Sequence, residues 1–277
     1  MGYCKYKLVC IDLDGTLLND NKEISLENIN IIKEAINSGI IVCITTGRVL
    51  KFANRYNDIL DIKIPTIASN GGVICYNAKE LELNTLNFEQ ILKIKEIASK
   101  HNVDVYLNTE DSIISEGKIP NDYSYKVLNE KVCDKYKVNI IENYSFEKLF
   151  TKKKINVVKA ICINKYDLEE VRKVYNELEK TSEFEISSAE YEYCEINAKG
   201  VSKGIAVEKL ANKLKIDIDE VVCIGDGGND IEMLKRSGLS IAMKNGMVNV
   251  KEIADYITDS NNDDGVGKAL KKLILNN

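Results

Sequence analysis

Apolar residues along the chain follow two rhythms, and the change of rhythm marks its organisation. Leu8 to Ile11 and Ile40 to Ile44 are unbroken apolar runs, which read as strands of a parallel sheet covered on both faces. Between them Leu26, Ile29, Ile32 and Ile36 recur at helical spacing behind Ser25, and Gly39 ends that helix. A helix from about Leu50, then Pro65 and a short strand from Thr66 to Ser69, continue the series. The last third repeats this grammar. Val207, Leu210, Ala211 and Leu214 share a helical face, and the strand Val221 to Ile224 runs into Gly225-Asp226-Gly227-Gly228-Asn229-Asp230, where another helix starts. Gly238 closes that helix, Leu239 to Ala242 and Tyr256 to Thr258 are further short strands, and Val266 to Leu275 is a terminal helix. Repeated strand, helix, strand predicts a doubly wound parallel sheet of the α/β class, shared by both ends of the chain.

Between Thr85 and Ala189 the runs lengthen and alternate, as in Val103-Asp104-Val105-Tyr106-Leu107 and Lys159-Ala160-Ile161-Cys162-Ile163. Alternation predicts a sheet with one face solvated. Helical spacing returns at Phe88, Ile91, Ile94 and Ala98, and at Leu168, Val171 and Leu178, so helices pack on one face of that sheet. The expected division is a discontinuous core, 1–84 and 190–277, with an inserted α+β domain over 85–189. No internal repeat or low-complexity segment interrupts it.

Composition narrows the class. With 277 residues, 44% of them hydrophobic and 29% charged, the chain can bury a substantial core, and no apolar stretch nears the roughly 20 residues of a membrane span. No basic and apolar leader opens it. The net charge of −5 is mild and the two signs alternate, which argues against a nucleic-acid polymer as partner. Lys152-Lys153-Lys154, the densest basic run, reads as a solvated turn. None of the eight cysteines forms a C-x-x-C pair, and Cys10, Cys43, Cys162 and Cys223 read as small buried hydrophobes of a reduced, cytoplasmic protein.

Four polar clusters stand at the ends of apolar strands or at a helix start: Asp12 with Asp14, Thr46 with Arg48, Lys203, and Asp226 with Asn229 and Asp230. In a doubly wound sheet those ends converge on one crevice. Taken singly, each has a bland reading: loop carboxylates, a helix cap beside a surface charge, a surface lysine, a turn. Together they place four carboxylates where they would repel one another unless a cation were present, and an all-oxygen set suits Mg²⁺. A lysine, an arginine, a hydroxyl and glycine-rich turns facing such an ion are what a phosphoryl group needs. A carboxylate can attack phosphorus, and a second one two residues on can carry the proton. His101, the only histidine, lies in the inserted block, so Asp14 is the natural proton carrier.

These residues resemble the haloacid dehalogenase-like hydrolase superfamily, and within it the Cof-type phosphatases with a subclass IIB cap. Asp12-Leu13-Asp14-Gly15-Thr16-Leu17-Leu18 is similar to the first motif, Thr46-Gly47-Arg48 to the second, Gly200-Val201-Ser202-Lys203-Gly204 to the third and Gly225 to Leu234 to the fourth. The resemblance implies a Rossmann-like core with an α+β cap inserted between the second and third motifs. It also implies Asp12 as nucleophile, Asp14 as general acid and base, Thr46 as a donor to the phosphoryl oxygen, and Lys203 as the cation holding nucleophile and phosphate. Mg²⁺ would be bound by the Asp12 carboxylate, the Asp14 main-chain carbonyl and Asp226, with Asp230 steadying that site and Asn229 reaching the phosphate. Gly47, Arg48, Asn70 and Gly71 join the phosphate surroundings, and Asn245 and Asn261 stand behind them. Gly227-Gly228 departs from the family, where a larger or acidic residue often precedes the asparagine.

The implied reaction is Mg²⁺-dependent hydrolysis of a small phosphate ester through an aspartyl phosphate, under a lid formed by the inserted block. Sugar phosphates are the first substrate class, ahead of pyridoxal phosphate, flavin mononucleotide and nucleotides. Two rivals share the constellation: a sugar phosphomutase with the same nucleophile, and a regulatory phospho-acceptor protein resembling a response-regulator receiver. Tyr123, Tyr125, Tyr191 and Tyr193 either line the mouth of the site or are ordinary strand residues, and neither cap specificity nor oligomeric state is legible.

Overall fold

A computed structural model of the chain describes residues 5–61, 64–77, 80–149, 155–188 and 193–275. Lys152 to Lys154 and Tyr191 lie outside these. Strand β1 (Leu8–Asp12) is buried throughout, as its apolar run requires. Removing side chains such as Leu8 and Ile11 from water contributes about 1.5–3 kcal/mol each. Helix α1 (Leu26–Asn37) is capped by Ser25, whose side chain accepts from Asn28 N, and Gly39 at φ +91 turns the chain into β2 (Ile41–Thr45). Then come α2 (Leu50–Leu60), β3 (Thr66–Ala68), β4 (Val73–Asn77) and β5 (Glu80–Leu83).

The middle of the chain supplies α3 (Phe88–Lys100), β6 (Asp104–Asn108), β7 (Ser112–Ser115), α4 (Ser124–Glu130), β8 (Asn139–Ile141), β9 (Lys159–Ile163), α5 (Leu168–Thr181), β10 (Phe184–Ser188) and β11 (Tyr193–Ala198). The remainder is α6 (Lys203–Leu214), β12 (Val221–Gly225), α7 (Ile231–Arg236), β13 (Leu239–Ala242), α8 (Val248–Ile253), β14 (Tyr256–Ile257) and α9 (Gly265–Leu270), which runs on as a wider helical turn through Leu275.

Two sheets result. The first has order β14-β13-β12-β1-β2-β3-β4-β5, parallel from β14 to β3. The β4 and β5 strands extend it antiparallel, an addition the patterning did not signal. Asp12 stands in register with Thr45, and Gly225 with Ala242, so the three polar loops after β1, β2 and β12 leave the same edge. The second sheet has order β10-β11-β9-β6-β7-β8. Its outer face, with Leu107, Ala160, Cys162, Cys194 and Ile196, packs on Ile94 of α3 and on Val171 and Val174 of α5. Alternation predicted helices on this face; the other face is covered too, because Tyr106, Ile113 and Ile161 cluster with Tyr123 and Tyr125 at the start of α4.

The second sheet runs past the expected boundary at residue 190 by one strand. Strand β11 pairs with β10 and β9, so sheet membership carries the inserted block to Ala198. The shift follows from register, since Glu195 opposes both Ile161 and Ser187. Tyr123 and Tyr125 are not strand residues either. They flank the start of α4, and Tyr125 stacks edge-on against Phe52 of α2 at 5.9 Å, joining the sheets through one apolar cluster. No helix among the described residues is long and apolar enough to cross a membrane.

Candidate active site

Lys203 opens α6 behind its cap Ser202, whose Oγ accepts from Ile205 N at 3.2 Å. The lysine is 1% exposed, and its Nζ donates to Asp12 Oδ1 at 2.7 Å and to Asp230 Oδ1 at 2.6 Å. The other oxygen of Asp230 accepts from the backbone N–H of Asp226 and of Gly227, each at 3.0 Å. One carboxylate therefore shapes the loop after β12 and holds the lysine. Thr16 Oγ1 donates to Asp226 Oδ1 at 2.7 Å, tying the first loop to the fourth. Only glycine fits between them, because a Cβ on Gly15 would lie 2.3 Å from Asp226 Oδ2 and its φ is +79. Asn245 Nδ2 donates to Gly15 O at 2.7 Å and Asn261 Nδ2 to Leu18 O at 3.0 Å, which pins the first loop from behind.

Oxygens of Asp12, Asp226 and Asp230 lie within 4.8 Å of one another. Burial, together with repulsion from Asp230 and Asp226, pushes the Asp12 carboxyl well above its ordinary range against the pull of Lys203. Burial and Asp230 likewise push Asp226 up to about 6. Lys203 is held protonated by the carboxylates facing it despite its burial. Two buried carboxylates and a half-buried one against one ammonium leave negative charge uncompensated, and the donors are all oxygen. A hard divalent cation such as Mg²⁺ fits both facts.

The Asp14 carboxylate does not join that cluster. Arg48 forks onto it, Nε to Oδ2 and Nη2 to Oδ1, both at 2.6 Å, and Lys22 reaches Oδ1 at 3.1 Å. Burial alone would raise the Asp14 carboxyl, but the Arg48 hydrogen bonds and charge, with Lys22, hold it below its ordinary range. Arg48 itself lies over the Phe52 ring at 5.0 Å and donates to Tyr56 Oη at 3.1 Å. Thr46 is buried, its N–H donating to Ile67 O at 2.8 Å and its Oγ1 accepting from Arg48 N at 3.1 Å.

The site opens into a cavity of about 1170 Å³ between the two sheets. Asp12, Asp14, Thr46, Gly47, Arg48, Asp226, Asn229 and Asp230 line its core side. Lys203, Asn70 and Gly71 stand behind this wall. Asn70 Oδ1 accepts from Asn229 Nδ2 at 3.2 Å, and a Cβ on Gly71 would meet Ser202 O at 2.5 Å, so that glycine lets the loop after β3 rest on the start of α6. The opposite wall holds Tyr123, Tyr125 and Tyr193, apolar Ile161 and Ile163, and the charged Lys159 and Glu195. Lys159 and Glu195 were not among the expected site residues. Lys159 begins an alternating run, and its partner is 36 residues away. Glu195 faces Ile161 in register, so Lys159 meets it diagonally, two residues along β9.

The whole constellation matches a family model described as haloacid dehalogenase-like hydrolase over residues 9–270. The chain is 33% identical over 270 residues to the 5-amino-6-(5-phospho-D-ribitylamino)uracil phosphatase YcsE of Bacillus subtilis, covering 97% of this chain and 96% of that one. A solved haloacid dehalogenase-like hydrolase from B. subtilis superposes with a TM-score of 0.86 at 28% identity, over 97% of this chain and all of the other. The subclass IIB sugar phosphatase BT4131 superposes at 0.78 with 26% identity, over 96% of this chain and 98% of its own. The chain belongs to the haloacid dehalogenase-like hydrolase family, as one of its phosphatases.

Proposed function

We propose that the protein is a Mg²⁺-dependent phosphatase of small phosphorylated metabolites acting through a phosphorylated Asp12. The observation that carries this reading is the placement of Asp12. It ends β1 at the cavity wall, Lys203 holds one of its oxygens at 2.7 Å, and Asp14 follows two residues on with its carboxylate on the same cavity. An Asp12 oxygen attacks phosphorus and the bond to the leaving oxygen breaks, while Asp14 gives that oxygen a proton. Water then attacks the phosphorus, the bond to Asp12 breaks, and Asp14 takes a proton from that water. Thr46, which accepts from Arg48 N, keeps its own hydroxyl hydrogen to donate to a phosphoryl oxygen. Asp12, the Asp14 carbonyl and Asp226 would hold the Mg²⁺, which would neutralise phosphoryl charge. Because Asp14 is gripped by Arg48, the proton-carrying form requires that grip to loosen as substrate enters.

The inserted block, 85–189 and on through β11, serves as the lid that keeps bulk water from the intermediate. Its wall mixes tyrosines and aliphatic side chains with a few charges, which suits a leaving group with both polar and apolar faces. Sugar phosphates remain the first class, ahead of pyridoxal phosphate, flavin mononucleotide and nucleotides. Free buried cysteines support a reduced, cytoplasmic setting. The test is phosphate release from these esters with and without Mg²⁺, beside Asp12→Asn. Metal-dependent turnover lost in that variant supports the reading, and full turnover by Asp12→Asn refutes it. Transfer to a second sugar in place of release would identify a mutase.

A further inference from the structure

Lys159 and Glu195 have no part in the chemistry above, yet they are the most deeply placed ion pair on the cap side of the cavity. Lys159 is 1% exposed and Glu195 13%, and the two are in direct contact across β9 and β11. Each also reaches the core. Lys159 Nζ donates to Gly47 O at 2.6 Å, and Glu195 Oε2 accepts from Asn70 Nδ2 at 2.7 Å. Asn70 continues to Asn229 through its Oδ1. One hydrogen-bonded chain thus crosses from the loop after β2, through the inserted sheet, to the loops after β3 and β12.

The loop after β3 needs such an anchor. Ser69 and Asn70 both have left-handed backbone, at φ 51 and 56, which side-chain-bearing residues adopt unwillingly. Two polar side chains of β11 restrain it: Glu195 on the Asn70 amide, and Asn197, whose Nδ2 donates to Ser69 O at 3.0 Å. The space is also close, because a Cβ on Gly47 would lie 3.0 Å from Asn70 Oδ1 and 3.4 Å from Glu195 Oε2. With one donor on Gly47 O and another on Glu195, the Lys159 ammonium joins the core loop to the inserted sheet.

We propose that Lys159 and Glu195 are positioning residues that fasten the inserted sheet to Gly47 and Asn70 and thereby set the shape of the phosphoryl pocket. Resting on the phosphatase reading, this assigns them an effect on every ester alike, unlike a residue that contacts the leaving group.

The test compares wild type with Glu195→Gln, Glu195→Ala and Lys159→Met on a hexose phosphate, pyridoxal phosphate and flavin mononucleotide, with equilibrium binding of inorganic phosphate measured beside turnover. Loss of buried hydrogen bonds to charged groups is expected to lower kcat/KM by about 10- to 100-fold. The factor should be the same on each ester, and phosphate should bind more weakly too. Glu195→Gln, which keeps an acceptor for Asn70, should lose less than Glu195→Ala. A loss confined to one ester would make the pair a substrate contact and overturn the proposal. Unchanged turnover and phosphate binding, or a loss equal to the unfolded fraction in thermal melts, would overturn it as well. Wild type inert on all esters would instead refute the phosphatase reading, and the phosphate-binding arm would still decide this one.

Discussion

Arg48 and Asp14, 34 residues apart, meet as a two-pronged ion pair with both N–H···O contacts at 2.6 Å. The second motif thereby orients the Asp14 carboxylate, which we propose as the proton carrier. Arg48 is also wedged against Phe52 and Tyr56, so its planar fork is fixed before any substrate arrives. Lysine keeps the charge but not the fork. Arg48→Lys is expected to lower kcat/KM by about 10- to 100-fold while costing less than about 2 kcal/mol of stability. Steady-state kinetics beside urea denaturation checks this, and a rate within twofold of wild type would show that the fork does not matter.

Lys203 sits between two buried carboxylates, so removing it leaves like charges facing each other. Lys203→Met should cost about 3–5 kcal/mol in the metal-free protein. Adding Asp12→Asn removes one of the stranded charges, and the double variant should be more stable than Lys203→Met alone. Strictly additive effects in the denaturation cycle would contradict the pairing.

Asp226 gives a pH signature to the metal-free protein. Its folded value of about 6 lies above the ordinary 3.8, so its contribution is present below 3.8 and is lost as pH rises through 6. Asp226→Asn should therefore gain stability relative to wild type between pH 4 and 7, by about 1–3 kcal/mol. Mg²⁺ at a hundredfold excess over its Kd should stabilise wild type by about 2.7 kcal/mol and leave Asp226→Asn nearly unmoved. Equal Mg²⁺ shifts in both proteins would exclude Asp226 as a ligand.

His101, which does not line the cavity, offers an independent pH test. It lies between Glu177 and Glu170 of α5, at 2.7 and 2.8 Å, and the Glu177 hydrogen bond, opposed by desolvation and aided by Glu170, raises its pKa above 6.5. A raised histidine stabilises fully below 6.5, and that stabilisation fades as pH climbs through the folded value. The urea midpoint should fall between pH 6 and 8 in wild type, with a smaller fall in His101→Gln. Parallel pH curves for the two proteins would remove His101 from the account.

How far the sequence could be read depended on where each residue's partners lie. β1, β2 and β12 were legible because strands covered on both faces have to be apolar, and Asp12 and Lys203 because chemistry gathers at element ends. The β4–β5 pair was not, since an antiparallel edge addition needs no distinctive pattern. The strand from Tyr193 carries no local mark of its sheet, because its register partners, not its composition, decide membership. Lys159 illustrates the limit: nothing local distinguishes a lysine that points into solvent from one that points at a carbonyl 112 residues earlier.

The position of β1 in the first sheet also bears on how the protein is made. One neighbour, β2, follows within about thirty residues, but the other, β12, begins at Val221. Throughout synthesis of the inserted block the strand that ends in Asp12 keeps one edge unpaired, exposing apolar backbone to stray strand pairing. Lys203 is 191 residues from Asp12, so the ion pair closes only late in synthesis. A ribosome-released fragment that stops before β12 would thus be both catalytically silent and prone to aggregate.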